Sequence, residues 1–263
     1  MAGRQRRLNA GRPPAVRFGR RTLVRATLRA GARAMIEVVG HRGAAGILPE
    51  NTIPGFEHAI ALGCGATECD LRLSADGQLI ICHDATVDRT TNGSGAVLEM
   101  TFDQLRALDA GGGAPLPTYD EVLATCAGRI ILLSEMKAAG TPAPAVAAVR
   151  ARGLEASVYF TSFQLDLLEE VRALGDDLLL AAIYSAPVPE DFDRLAAMRV
   201  SAVDVHWRNL TPEFVQQVRA RGWTARGWNP NTAEDVRTTL DLGVTSVSSD
   251  YPDLALEVVR AGA

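Results

Sequence analysis

The chain of 263 residues is long enough for one α/β domain with a large core and close to the roughly 250 residues of a single (β/α)8 barrel. Nearly half of it, 47%, is apolar, yet no uninterrupted apolar run approaches the roughly 20 residues that cross a bilayer, so a soluble protein is expected. The net charge of −4 is unevenly spread: residues 1–34 hold ten Arg and no acidic residue, and the remainder carries 31 acidic against 17 basic residues, a formal −14.

Residues 1–34 therefore read as a separate Arg-rich extension, expected to be disordered, ahead of a single folded domain at 35–263. Met35 stands directly before the first strand-like run, so the simplest account of the leader is upstream sequence translated together with the domain. Arg17, Arg21, Arg25, Arg29 and Arg33 recur every four residues and would stripe a helix, and a cleaved targeting peptide is a third account of the leader. Cys64, Cys69, Cys82 and Cys126 have neither C-x-x-C spacing nor the density of a disulfide scaffold, so reduced, mostly buried thiols are expected. The absence of an H-x-H pair argues against a hydrolase built on histidine-bound zinc.

From Met35 onward short apolar runs alternate with amphipathic stretches, the pattern of βα units around a parallel sheet. The strand candidates are 36–40, 66–73, 129–135, 158–162, 178–183, 202–206, 223–228 and 244–248. The helix candidates between them are 54–62, 118–126, 144–151, 165–174, 190–198, 212–221 and 233–242. Thr211 before Pro212 and Thr232 before Ala233 read as N-caps, and Gly63, Gly153, Gly175, Gly222 and Gly243 as left-handed residues closing helices. The expected fold is one α/β (β/α)8 barrel with a small insertion after the second strand. That insertion occupies residues 74–128, where Asp76-Gly77 signals a hairpin turn that folds Leu79–Cys82 back beside the second strand and brings His83 to the same end.

Residues two apart in a strand share a face, so Glu68, Asp70 and Arg72 point one way and Cys69, Leu71 and Leu73 the other. Helices cover the outside of a barrel, which leaves the interior for the charged set. Two carboxylates about 6 Å apart at an effective dielectric near 20 repel by roughly 3 kcal/mol, so positive charge is needed between them. The third strand ends in Glu135 and Lys137, again two apart, and Glu135 beside Glu68 and Asp70 makes three hard oxygen ligands suited to Mg2+ or Ca2+. The competing reading of the same residues is an internal salt-bridge cluster with Lys137 and Arg72. Lys137 is the only lysine against 26 arginines, which points to a place where a compact ammonium is wanted. His41 and Arg42 follow the first strand and His83 follows the hairpin, so two imidazoles can serve as proton acceptor and donor. His206 is expected to be a wall contact at the mouth and His58 to face solvent.

These residues, together with Pro49-Glu50-Asn51-Thr52, the run His83-Asp84-x-Thr86-x-Asp88-Arg89-Thr90-Thr91 and the closing Asp250-Tyr251-Pro252, occur in an order that resembles the glycerophosphodiester phosphodiesterase family from about Ile36 to Leu256. The resemblance implies a barrel that hydrolyses glycerophosphodiesters to glycerol 3-phosphate and an alcohol with one divalent cation, Mg2+ or Ca2+. It assigns acid–base catalysis to His41 and His83, metal binding to Glu68, Asp70 and Glu135, and phosphate and substrate contacts to Arg42, Lys137 and Glu50, with Trp228 and Asn231 lining the glycerol pocket. By similarity, the glyceryl hydroxyl attacks phosphorus and water opens the resulting cyclic phosphate. Trp228-Asn229-Pro230-Asn231 and Ser249-Asp250-Tyr251-Pro252 depart from the family's usual Trp-Thr-Val-Asn and Thr-Asp-Tyr-Pro, which leaves alcohol specificity open. A lysophospholipase D on the same barrel is the alternative, and a non-catalytic phosphodiester-binding barrel a third reading. A cytoplasmic protein, monomeric or weakly self-associating, with a small-molecule substrate and no nucleic-acid partner, completes the expectation.

Overall fold

The computed structural model describes residues 36–262, so the expectation for the Arg-rich segment 1–34 lies outside the described residues. Eight parallel strands form the wall: β1 (Glu37–Gly40), β2 (Ala66–Leu73), β4 (Ile131–Met136), β5 (Val158–Ser162), β6 (Leu179–Tyr184), β7 (Ala202–His206), β8 (Thr224–Trp228) and β9 (Ser246–Ser249). Each pairs with the next, and β1 pairs with both β2 and β9, which closes the barrel. The short β3 (Leu79–Ile81) runs antiparallel to β2 after a turn in which Gly77 has φ 80°, as the Asp-Gly signal predicts.

Helices α1 (Ile53–Leu62), α3 (Tyr119–Cys126), α4 (Pro142–Arg152), α5 (Leu165–Leu174), α6 (Phe192–Ala197), α7 (Pro212–Ala220), α8 (Ala233–Asp241) and α9 (Pro252–Ala261) form the outer ring. The sequence reading contains seven of these and lacks α9, which begins with Pro252 at its first turn and buries Ala255, Leu256 and Val258. It also lacks α2 (Phe102–Arg106), a short helix inside the insertion with a reciprocal Thr101/Gln104 capping box. Thr211 and Thr232 cap α7 and α8 by accepting hydrogen bonds from the amides of Phe214 and Asp235. Gly63, Gly153, Gly222 and Gly243 are left-handed, with φ between 65° and 88°. Gly175 is not: it is extended, and what it supplies is space, because a Cβ there would stand 2.2 Å from Nη2 of Arg150. Among the described residues no helix is long and apolar enough to cross a membrane.

Strand alternation sorts the side chains as expected. Cys69 and Leu71 pack outward in the large core shared with the helices, while Val39, Ala66 and Leu133 form a small apolar plug inside the barrel with Ile131 and Tyr159 against it. All four cysteines are buried and free. The insertion has its own core of Ile80, Cys82, Val87, Val97, Leu105, Ala110 and Leu116. His206 meets the Trp228 ring edge-on at 4.9 Å, and His58 is half-buried rather than solvent-facing.

One interior feature has no counterpart in the sequence reading. Arg226 on β8 donates from Nη1 to both oxygens of Asp204 on β7 (2.9 and 2.7 Å), from Nη2 to Glu37 on β1 (3.2 Å) and from Nε to Ser246 on β9 (2.9 Å), so one guanidinium ties four strands together. Burial opposes the charge on Arg226, but Asp204 and Glu37 outweigh it and raise its pKa. Removing one partner of such a pair strands a buried charge. Arg226→Met is expected to lower unfolding stability in urea by about 3–5 kcal/mol, and pairing it with Asp204→Leu to restore most of the loss. A loss below about 1 kcal/mol for the single variant would show that the pair is not a structural tie.

Candidate active site

At the C-terminal rim of the barrel, Asp70 on β2 stands in direct register with Glu135 on β4, and Glu68 lies two residues earlier on the same face of β2. Each of the three contributes a carboxylate oxygen to a set lying within 4.8 Å of one another, and all three are buried. The predicted ligands therefore converge. Burial, followed by repulsion from Asp70 and Glu135, raises the pKa of Glu68 well above the carboxylate range. Burial and Asp70 push Glu135 up to about 7. Asp70 goes the other way, because Lys137, Arg42 and His83 together outweigh its burial.

The neighbouring cations are positioned by local backbone and by strand phase. Arg42 has φ 49°, which turns its amide onto Glu68 Oε2 at 2.9 Å. Its guanidinium donates to Glu50 at 2.9 Å and lies 3.4 Å from Asp70. Lys137 Nζ donates to Glu135 at 2.7 Å and sits 3.5 Å from Asp70. Arg72, the other cation considered for this cluster, instead donates to the carbonyl of His83 at 3.0 and 2.6 Å. Three carboxylates thus face two cations, and Glu68 Oε1 and Asp70 Oδ1 are buried without a hydrogen bond. An orphaned buried acceptor costs about 1–3 kcal/mol, more when charged, so surplus negative charge and unused oxygens fit a hard divalent cation. Asn51 holds Asp70 from the side, donating at 2.8 Å.

The two histidines flank this cluster, and each has a carboxylate on Nδ1. His41 Nδ1 is 2.6 Å from Asp250, and its Nε2 lies 3.9 Å from Glu68. His83 Nδ1 is 2.6 Å from Asp84. A carboxylate on Nδ1 fixes the tautomer and leaves Nε2 free to exchange protons in the cleft. Burial lowers the pKa of His83, partly offset by Asp70. Arg89 joins Asp84 (2.7 Å) to Glu50 (2.8 Å) and so links the insertion to the loop that bears Arg42.

The cleft, counted with the open solvent at its mouth, spans about 570 Å3 and has Asp204 and Arg226 among its lining residues. His41, Arg42, Glu68, His83 and Glu135 line it together with Phe163, Ile183 and Trp228, and Asn229 lies against His41. Trp228 is held by its indole N–H, which donates to the Tyr184 carbonyl at 3.3 Å, and by Phe163 edge-on at 5.7 Å. Asn231 lies behind the wall, engaged with Asp250 and Ser249, while Asn229 faces the cleft. The sequence reading quotes Asp84, Asp250 and Asn51 within motifs and gives them no role. The adjacent pair His83-Asp84 carries a local signal for one of these contacts, whereas Asp250 lies 209 residues from the ring it holds.

Comparison with known proteins agrees with this geometry. Residues 41–254 match the model of the glycerophosphoryl diester phosphodiesterase family. A glycerophosphodiester phosphodiesterase of Caldanaerobacter subterraneus is 31% identical over 240 residues, covering 86% of this chain and 98% of that protein. One from Bacillus subtilis is 29% identical over 254 residues, 86% of this chain and 87% of the other. Among solved structures, a Silicibacter pomeroyi protein assigned to the glycerophosphoryl diester phosphodiesterases superposes with TM-score 0.80 at 28% identity, over 88% of this chain and 95% of that one. An Oleispira antarctica phosphodiesterase in complex with the product sn-glycerol 3-phosphate gives 0.81 at 26%, over 86% and 97%. With the closed parallel barrel, the carboxylate cluster at its rim and a family match over most of its length, the chain belongs to the glycerophosphoryl diester phosphodiesterase family and is a hydrolase of glycerophosphodiesters.

Proposed function

We propose that this enzyme releases sn-glycerol 3-phosphate by an internal attack of the substrate's glyceryl hydroxyl, with His41 and His83 exchanging protons and Glu68, Asp70 and Glu135 holding one divalent cation, Mg2+ or Ca2+. The observation that carries the proposal is the convergence of three buried, partly unpaired carboxylates between two carboxylate-held imidazoles. Arg42 and Lys137 bind the phosphate oxygens, with Glu50 orienting Arg42. When bound, the cation neutralises charge that builds on the phosphoryl oxygens.

The two imidazoles differ in exposure: the His41 side chain is 16% exposed and that of His83 31%. The departing alcohol varies between substrates and leaves through the open side, which gives His83 the role of donor to it and His41 the role of base for the retained glyceryl group. His41 takes the proton of the glyceryl 2-hydroxyl as that oxygen bonds to phosphorus. The bond from phosphorus to the alcohol oxygen breaks, and His83 protonates that oxygen. A cyclic phosphate remains. Water then gives a proton to His83 while its oxygen bonds to phosphorus, the ring bond to the 2-oxygen breaks, and His41 returns its proton to that oxygen.

A second reading, lysophospholipase D, has one observation behind it. Of the five large apolar side chains exposed among the described residues, Ile47, Phe163 and Tyr251 lie in loops that follow β1, β5 and β9 at the catalytic end of the barrel, and Leu98 lies in the insertion. Turnover of glycerophosphocholine compared with lysophosphatidylcholine separates the two readings, and the charged lining of the cleft supports the first.

Loss of either histidine is expected to cost at least about 100-fold in kcat/KM on glycerophosphocholine. With a p-nitrophenyl ester of glycerol 3-phosphate, whose leaving group needs no proton, the loss in His83→Ala should shrink and that in His41→Ala should persist. The opposite pattern would exchange the two roles.

EDTA is expected to abolish turnover, and Glu68→Ala or Asp70→Ala to do the same without unfolding the barrel. Undiminished rates in EDTA would remove the cation from the account. The ion-free protein should also show the linkage in its stability. Glu135 keeps its proton up to about pH 7 in the fold and up to 4.5 in the unfolded chain. Its contribution is therefore present in full below the unfolded value and is lost as pH rises through the folded one. A cation replaces the proton above that point, so the rise in Tm on adding Ca2+ or Mg2+ should be larger at about pH 8 than at about pH 5.5. Equal increments at the two pH values would mean that the ion binds elsewhere.

A further inference from the structure

The segment that ends β8 carries two asparagines in opposite situations. Asn231 is bonded at both ends: its Oδ1 accepts from the amide of Asp250 at 2.9 Å and from the Ser249 hydroxyl at 3.1 Å, and its Nδ2 donates to Asp250 Oδ2 at 2.5 Å. That amide braces the carboxylate that braces His41, and it does not line the cleft. Asn229 lines the cleft and has Oδ1 buried without any partner.

Its other end is not satisfied by the histidine beside it. Asn229 Nδ2 lies 3.0 Å from Nδ1 and 3.4 Å from Nε2 of His41. A donor on the lone-pair axis of either ring nitrogen would stand about 5 Å from the other, because the two lone pairs diverge. Near-equal distances therefore put the amide against the ring between its nitrogens, on neither axis, and Nδ1 already has Asp250 at 2.6 Å. Half a turn of the amide exchanges its oxygen and its NH2 and leaves the same deficit. In both orientations a polar end beside the cleft is left with nothing to bond, and a group able to meet either end must both donate and accept. An alcohol hydroxyl does both.

We propose that Asn229 is a specificity-determining residue that binds the terminal, non-reacting hydroxyl of the substrate's glyceryl group while His41 takes the adjacent hydroxyl; this rests on the catalytic reading above, which puts the glyceryl group on the His41 side. The reacting hydroxyl has a single proton, and that proton goes to His41, so it is not free for the amide. Hydroxyls on neighbouring carbons are separated by about the distance between the amide and the ring, 3.0 Å. A residue that reads the terminal hydroxyl also disfavours substrates in which that oxygen is acylated, because acylation removes the donor and adds bulk.

The test compares kcat/KM of the full chain, assayed with Mg2+ and with Ca2+, on glycerophosphocholine and on the analogue lacking the terminal hydroxyl, propane-1,2-diol phosphocholine. Sites built around a substrate hydroxyl discriminate strongly against its absence, so the unsubstituted enzyme is expected to prefer the glyceryl diester by at least about 100-fold. In Asn229→Ala the preference should fall at least about tenfold, with the loss on glycerophosphocholine appearing mainly in KM. Equal losses on the two substrates, leaving the preference intact, would overturn the proposal and make Asn229 a support for His41. A second measurement needs no variant: sn-glycerol 3-phosphate should inhibit at least about tenfold more tightly than its 1-deoxy analogue, and equal inhibition would overturn the proposal. Failure of the enzyme to turn over any glycerophosphodiester would instead overturn the catalytic reading on which this rests, which is a different result from turnover without hydroxyl preference.

Discussion

Glu68, Asp70 and Glu135 can share a space in which their oxygens lie within 4.8 Å only if positive charge is delivered to it. The chain delivers part of that charge itself through Arg42 and Lys137, and it leaves one negative charge unmatched and two carboxylate oxygens without a hydrogen bond. Burial first, and repulsion from Asp70 second, raise the proton affinity of Glu68 and Glu135, so a proton competes for the place a cation would take. Most of what surrounds the cluster serves to keep it poised. The left-handed turn at Arg42 brings a backbone N–H to Glu68, Asn51 fixes Asp70, and Arg89 carries the restraint across to the insertion and His83.

The barrel makes such a site inexpensive to build. A parallel strand closed into a cylinder sends every second side chain inward, so two acids two residues apart on β2 and one in register on β4 converge without special loop geometry. The opposite half of the interior uses the same phase for a different purpose. Asp204, Arg226 and Ser246 occupy inward positions on β7, β8 and β9, where Arg226 pairs with Asp204 and Glu37 and donates to the Ser246 hydroxyl. Both halves bury ionisable groups, but among the described residues only the half formed by β2 and β4 leaves buried carboxylate oxygens without a hydrogen bond.

How far the sequence reveals this depends on the range of the interaction. Strand alternation and the hairpin turn suffice to bring Glu68, Asp70, Glu135 and His83 to one rim, because period-two geometry and an Asp-Gly turn are local properties. The pairing of His41 with Asp250 joins opposite ends of the chain, and no local signal announces it. Arg226 and Asp204 sit within runs read as strands, where a lone charge two residues before Trp228 and His206 is in the inward phase and could have been recognised. Helix α9 begins inside a motif noted for its resemblance rather than for its periodicity, although Leu254, Ala255, Leu256, Val258 and Val259 give it an apolar face. The roles of Asn229 and Asn231 depend on which amide faces the cleft, and two asparagines two residues apart look equivalent until the Asp250 carboxylate claims one of them.

The most direct test of the central claim is to locate the ion. Anomalous diffraction from a crystal of the full chain soaked in Mn2+ should show one strong peak within coordination distance of Glu68, Asp70 and Glu135, on the side of the cluster that faces His41 and His83. A peak elsewhere, or none, with Lys137 and Arg42 filling the space between the three carboxylates, would show that the cluster is a closed salt-bridge network and not a cation site.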